Sequence, residues 1–135
     1  MSSVFIVAFV LLVAIAFGFW DKKRAGKIKE VTNSHNLVAA SEIGSALGEE
    51  ATILQFSSAF CTPCRATRST LRSVISHYPK IKHVEVDAES NLDLVRRLDI
   101  RQTPTTLFLN SVGKEIARAV GAPKRDQVFD ALERI

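Results

Sequence analysis

Both cysteines of the 135-residue chain fall within Phe60-Cys61-Thr62-Pro63-Cys64. A Cys-x-x-Cys between a short apolar run and an amphipathic helical pattern is a redox arrangement. The spare backbone N–H groups and the dipole at a helix N-terminus favour thiolate over thiol on a cysteine seated there. Only the thiolate attacks a disulfide, and a second cysteine one turn on can close onto the first and release the bound partner. The same spacing would also suit half of a zinc site, but zinc takes about four ligands. There is no second cysteine pair, and His35, His77 and His83 lack ligand spacing, so no metal is expected.

The elements around the pair are those needed to hold it. Ala51 to Phe56 is apolar apart from Thr52 and Gln55, the pattern of a strand covered on both faces, and it leads directly to the cysteines. After Cys64, the residues Leu71, Val74, Ile75 and Tyr78 recur at helical spacing and place Pro79 as the stop, while Arg65, Arg68 and Arg72 fall on another side. His83-Val84-Glu85-Val86-Asp87 alternates as a strand, and Ser90-x-x-Asp93 reads as a capping box for a helix carrying Leu94, Val95 and Leu98. Thr105 to Leu109 and Glu115 to Val120 form an antiparallel hairpin through a turn-rich link, and Pro123 opens a last helix with Val128, Phe129, Leu132 and Ile135 on one face. Upstream, Leu37 to Ala40 is read as a short strand and Ser41 to Leu47 as a short helix ending at Gly48.

The first twenty residues obey a different rule. No charge occurs from Ser2 to Trp20, and at about 1.5 Å per residue such a helix crosses about 30 Å of hydrocarbon. This segment, 1–20, is read as a transmembrane anchor. Ala14-Ile15-Ala16 resembles a signal-peptide cleavage site, but the basic n-region is missing. Much of the net charge of +4 sits just beyond, in the stretch from Asp21 to Lys29. With no Lys or Arg before the apolar segment, the positive-inside bias places the rest of the chain in the cytoplasm, as a single-pass membrane protein. The same cluster suits anionic headgroups better than nucleic acid, because no aromatic residues interleave with it to stack bases. Residues 21–36 are read as a polar, basic juxtamembrane linker and residues 37–135 as the folded domain.

Over residues 37–135 the chain resembles the thioredoxin family. The likeness rests on Cys61-Thr62-Pro63-Cys64 between strand and helix, Thr103-Pro104-Thr105 entering the next core strand, and Val120-Gly121-Ala122 after the hairpin. It implies an α/β thioredoxin-like fold, a central mixed sheet flanked by helices, here preceded by one transmembrane helix. It also implies a cis bond before Pro104 next to the cysteines, with Thr103 and Gly121 lining the substrate strand and Cys61 acting as nucleophile to the resolver Cys64. The activity implied is thiol–disulfide oxidoreduction with no cofactor beyond the cysteine pair. Its partners would be protein disulfides and a reductase as electron donor. An extracytoplasmic reductase for exported proteins or apocytochromes, and a non-catalytic binding module of the same fold, are the competing readings.

Several positions depart from the family pattern. Phe60 stands where a Trp is common, keeping an apolar platform without the indole N–H. The dipeptide Thr62-Pro63 holds no histidine, which points to a reducing couple. Gln55 occupies the place of the buried acid beneath the second cysteine, and a neutral amide cannot titrate. His83 matches the lysine that accompanies that acid and, with Gln55 and Arg65, is a candidate for tuning the cysteine pKa values. Ser69 replaces a kink-forming proline.

Overall fold

The computed structural model describes residues 1–24, 26–32 and 35–135, with all side chains among them except those of Ser2 and Arg24. In chain order the elements are α1 (Ser2–Arg24), β1 (Ile28–Glu30), α2 (Ala40–Ile43), β2 (Ala51–Ser57), α3 (Thr62–Ile75), β3 (Ile81–Asp87), α4 (Leu92–Arg97), β4 (Thr105–Asn110), β5 (Glu115–Val120) and α5 (Arg125–Leu132). The five strands form one sheet in the order β1-β5-β4-β2-β3. Only β2 and β3 run parallel; β4 is antiparallel to β2 and β5, and β1 to β5.

Strand β2 lies between β3 and β4 and is buried along its whole length, its polar Thr52, Gln55 and Ser57 included. Its alternate side chains feed two cores. Leu54 and Phe56 pack with Val84, Val86, Leu94, Leu98, Leu107 and Leu109 on one side. On the other, Ile53 packs with Leu71, Val74, Phe108, Val128 and Leu132, under α3 and α5. Gln55 shares the side of Ile53 and therefore lies beneath α3.

The strands expected from Ala51 onward and the two long domain helices are present, with shifted ends, whereas the strand expected over Leu37 to Ala40 does not form. Helix α2 stops at Ile43 because Gly44 adopts φ 61°, so it is shorter than the stretch to Leu47, and Leu37 makes only an isolated bridge to Lys114. Helix α3 ends at Ile75; its chain continues through tighter i→i+3 bonds to His77 and Tyr78, which keep Tyr78 on the apolar face. The capping box at Ser90 does not form, because the Ser90 hydroxyl turns back to Asp87 and Asn91 becomes the N-cap of α4. Pro123 sits before Lys124, the N-cap of α5, and so precedes that helix instead of opening it.

The largest difference concerns residues 21–36. Helix α1 continues through Lys22 and Lys23 to Arg24, and is long and apolar enough to cross a membrane. Four residues later β1 is already an edge strand, with Ile28 opposite Ala119 and Glu30 opposite Ala117. What composition marks as linker thus contains part of the sheet: Ile28 packs against the α3–α5 core, and its charged neighbours Lys29 and Glu30 face solvent at the edge. The Asn33-Ser34 turn signal lies outside the described residues.

Candidate active site

Cys61 is the N-cap of α3, in extended backbone conformation at φ −90°, ψ 100°. The Cys64 amide donates to Cys61 Sγ at 3.2 Å, and the Arg65 amide to the Cys61 carbonyl at 3.3 Å. Pro63 lies within the first turn, where its missing N–H leaves no intrahelical bond unmade. A disulfide joins Cys61 to Cys64, with Cα atoms 5.2 Å apart. Cys64 is buried, whereas Cys61 keeps partial access and Thr62 and Pro63 are exposed. Phe60 is 98% exposed and adopts φ 58°, a left-handed conformation that costs an aromatic residue about 1–3 kcal/mol. The backbone thereby holds the ring in solvent, one residue from the half-accessible sulfur.

A second loop closes on the first. The Thr103–Pro104 bond is cis and Pro104 is buried. Thr103 Oγ1 lies 3.0 Å from Ser58 Oγ, which ties this loop to the segment entering the cysteine motif. The Gly121 amide donates to the Pro104 carbonyl at 2.8 Å, with φ 89°, a conformation open to glycine.

Beneath Cys64 the sheet is polar. Gln55 donates through Nε2 to the Cys64 carbonyl and to Ser57 Oγ, both at 3.0 Å. Its Oε1 is then left as acceptor for His83 Nε2 at 3.0 Å, so a neutral His83 carries its proton on Nε2. Burial pushes the His83 imidazole below its usual range; Arg72 and Arg68 act in the same direction and Glu85 opposes. Glu85, next to Gln55 in the strand register, takes a two-pronged hydrogen bond from Arg68 of α3, with Arg68 Nε 2.5 Å from its Oε2. That bond holds the Glu85 carboxyl below the ordinary carboxylate range, helped by the Ser57 hydroxyl and opposed by burial.

The sequence-derived residues therefore fall into two layers. Phe60, Cys61, Thr62, Pro63, Thr103, Pro104 and Gly121 belong to the two hydrogen-bonded loops, whereas Gln55 and His83 lie below them. Arg65 is exposed on α3 beside the pair, and Arg68 is spent on Glu85. Ser57, Ser58 and Glu85 were not anticipated. The signal for Glu85 was present, since it shares a strand face with His83 two residues away.

Comparison with known proteins places this architecture. A family model described as Thioredoxin matches residues 30–134. The chain belongs to the thioredoxin family. Thioredoxin H5 of Oryza sativa subsp. japonica is 36% identical over 84 residues, covering 61% of this chain and 62% of that protein. Thioredoxin H4-1 of the same plant is 29% identical over 105 residues, 75% of this chain and 76% of the other. Among solved structures, mitochondrial thioredoxin 3 from Saccharomyces cerevisiae in its oxidized form superposes with a TM-score of 0.57 at 20% identity, over 64% of this chain and 80% of that one. The latter likeness is one of fold. The chain spans less than two thirds of the length of thioredoxin H5, and α1 lies outside the thioredoxin match.

Proposed function

We propose that this thioredoxin-family chain is a membrane-anchored thiol–disulfide oxidoreductase that reduces protein disulfides. The observation carrying the reading is the seat of Cys61 Sγ at the N-terminus of α3, where it accepts the Cys64 amide while Cys64 stays buried. In the reduced protein that amide and the helix dipole stabilise a Cys61 thiolate. The thiolate attacks one sulfur of a substrate disulfide, forming a mixed disulfide and expelling the other sulfur as a thiolate. Cys64 passes its proton to that departing thiolate and, as a thiolate, attacks Cys61 Sγ, giving the Cys61–Cys64 disulfide and expelling the second substrate sulfur as a thiolate that takes its proton from water. Two electrons move to the substrate, and a reductase returns them. Gln55 does not titrate, and the His83 imidazole reaches Cys64 only through the Gln55 amide, so both act as positioning residues for the first turn of α3.

Helix α1 is the anchor in this reading, and the Lys and Arg residues at and just beyond its C-terminal end favour a cytoplasmic domain. Trapping tests both parts. With Cys64→Ser, the full chain accumulates a mixed disulfide on Cys61 in cells, and Cys61→Ser accumulates none. A membrane-impermeant maleimide labels the reduced cysteines only after lysis. Insulin reduction that survives Cys61→Ser would sink the catalytic assignment, and labelling of intact cells would move the domain outside.

A further inference from the structure

The junction between α1 and the sheet leaves almost no slack. The Gly26 amide, two residues beyond Arg24, donates to the Val120 carbonyl at 2.7 Å. Gly26 has φ 80°, and a Cβ placed there would lie 2.0 Å from the Ala122 carbonyl oxygen, so the backbone at 26 lies flush against the loop 121–122. From Val120 the chain passes to Gly121, whose amide holds the Pro104 carbonyl. Asp21 of α1, Lys27 and Lys29 line one surface depression together with Gln102, Arg118 and Val120. The end of α1 is therefore beside the cis-proline loop, not at the far end of the domain.

Chain geometry sets the scale. Two residue steps from Arg24 to Gly26, one from Val120 to Gly121, and two hydrogen bonds connect Arg24 to Pro104, which places the cis-proline within about 20 Å of the end of α1. Trp20 is the last residue before the charges, and four helical residues add about 6 Å. A free tether of twelve residues would instead stretch to about 40 Å and sample directions at random.

We propose that the Cys61–Cys64 site acts on disulfides of integral membrane proteins, carried within about 25 Å of the bilayer surface, because the chain two residues beyond the anchor is hydrogen-bonded to the end of β5, next to the Gly121 that holds the cis-proline loop. This rests on α1 spanning the membrane and on the oxidoreductase reading above. The partner is a polypeptide embedded in the same bilayer. Its disulfide lies in a loop just outside the headgroups, and a disulfide borne far from the surface is out of register with the groove. Lys22, Lys23, Lys27 and Lys29 flank the junction in sequence and outnumber the neighbouring carboxylates Asp21 and Glu30, a net positive charge that suits anionic lipid.

The test uses the full chain, pre-reduced and reconstituted in phosphatidylcholine vesicles containing phosphatidylglycerol. Two synthetic transmembrane peptides serve as probes: one carries a disulfide loop five residues from its membrane-spanning helix, and the other carries the same loop beyond a rigid helical spacer of about 60 Å. Soluble insulin is the third substrate. The near peptide is expected to be reduced at least tenfold faster than the far one. Inserting twenty Gly/Ser residues between Arg24 and Ala25 should shrink that ratio at least threefold and leave the insulin rate unchanged. Equal rates for the two peptides, or a ratio that survives the insertion, overturn the proposal while the underlying reading stands. Failure of the chain to float with the vesicles, or to reduce insulin, overturns both together.

Discussion

At Gln55 an amide has taken a carboxylate's place, and the local hydrogen bonds have been rebuilt around it. Its two donors and its acceptor are all engaged, by the Cys64 carbonyl, Ser57 and His83, so the interior beneath the disulfide carries no charge at that position. The charges sit one strand over. Glu85 is stabilised as a carboxylate by Arg68, and His83 is pushed toward its neutral form by burial, against the pull of Glu85 and with the help of the Arg72 and Arg68 guanidiniums. Acid should therefore act in two stages. A histidine whose folded pKa lies below its unfolded value of 6.5 takes up its proton more readily in the unfolded chain, so stability falls as pH drops below 6.5. Glu85, depressed from 4.5, contributes stability that is present above that value and is lost as pH falls through its lower folded pKa. Urea midpoints measured from pH 7.5 down to 5 should decline in the native chain, and His83→Gln, which keeps a donor for Gln55, should flatten that first decline. An unchanged slope would show that His83 does not titrate with folding. The amide at 55 was legible in the sequence through its alignment with the family pattern; its partners were not, because a hydrogen bond between neighbouring strands depends on register.

Among the elements, β5 does more than complete the sheet. Glu115 at its start is buried, takes hydrogen bonds from Arg118 Nε at 2.6 Å and from Asn36 Nδ2 at 2.7 Å, and so fixes the segment preceding α2 to the hairpin. Arg118 in turn donates to the carbonyls of Leu98 and Asp99, at the start of the stretch that leads to the cis-proline. Glu115→Ala leaves Arg118 largely buried without its carboxylate and should destabilise the fold by about 3 kcal/mol in chemical denaturation. A loss below about 1 kcal/mol would place the pair among ordinary surface bridges. Strands β2 to β5 were read well because their apolar runs are short and bounded by turn residues. The errors cluster where one residue overrides a pattern: Gly44 cuts α2 short, and Ser90 bonds to Asp87 instead of capping α4. Strand β1 was missed because Ile28 is the single apolar side chain of three, and its place comes from backbone pairing with β5.

For the whole molecule, that missed strand decides where a soluble fragment can begin. Composition suggests cutting at residue 37, but a chain begun there loses β1 and bares the edge of β5, an invitation to pair with another copy. A fragment starting at Ala25 should elute as a monomer in gel filtration, whereas one starting at Leu37 should self-associate or precipitate; equal behaviour would mean that β1 is dispensable. The Gly26 contact extends this from solubility to heredity. By position residue 26 belongs to the connector, a region where substitutions are ordinarily silent, yet a methyl group there collides with the backbone of the loop beside the cis-proline. A genetic screen would then score Gly26→Ala with the active-site alleles. Chimaeras that borrow another protein's N-terminal helix must place their junction upstream of Gly26, or they will exchange part of the packing behind the cis-proline loop along with that helix.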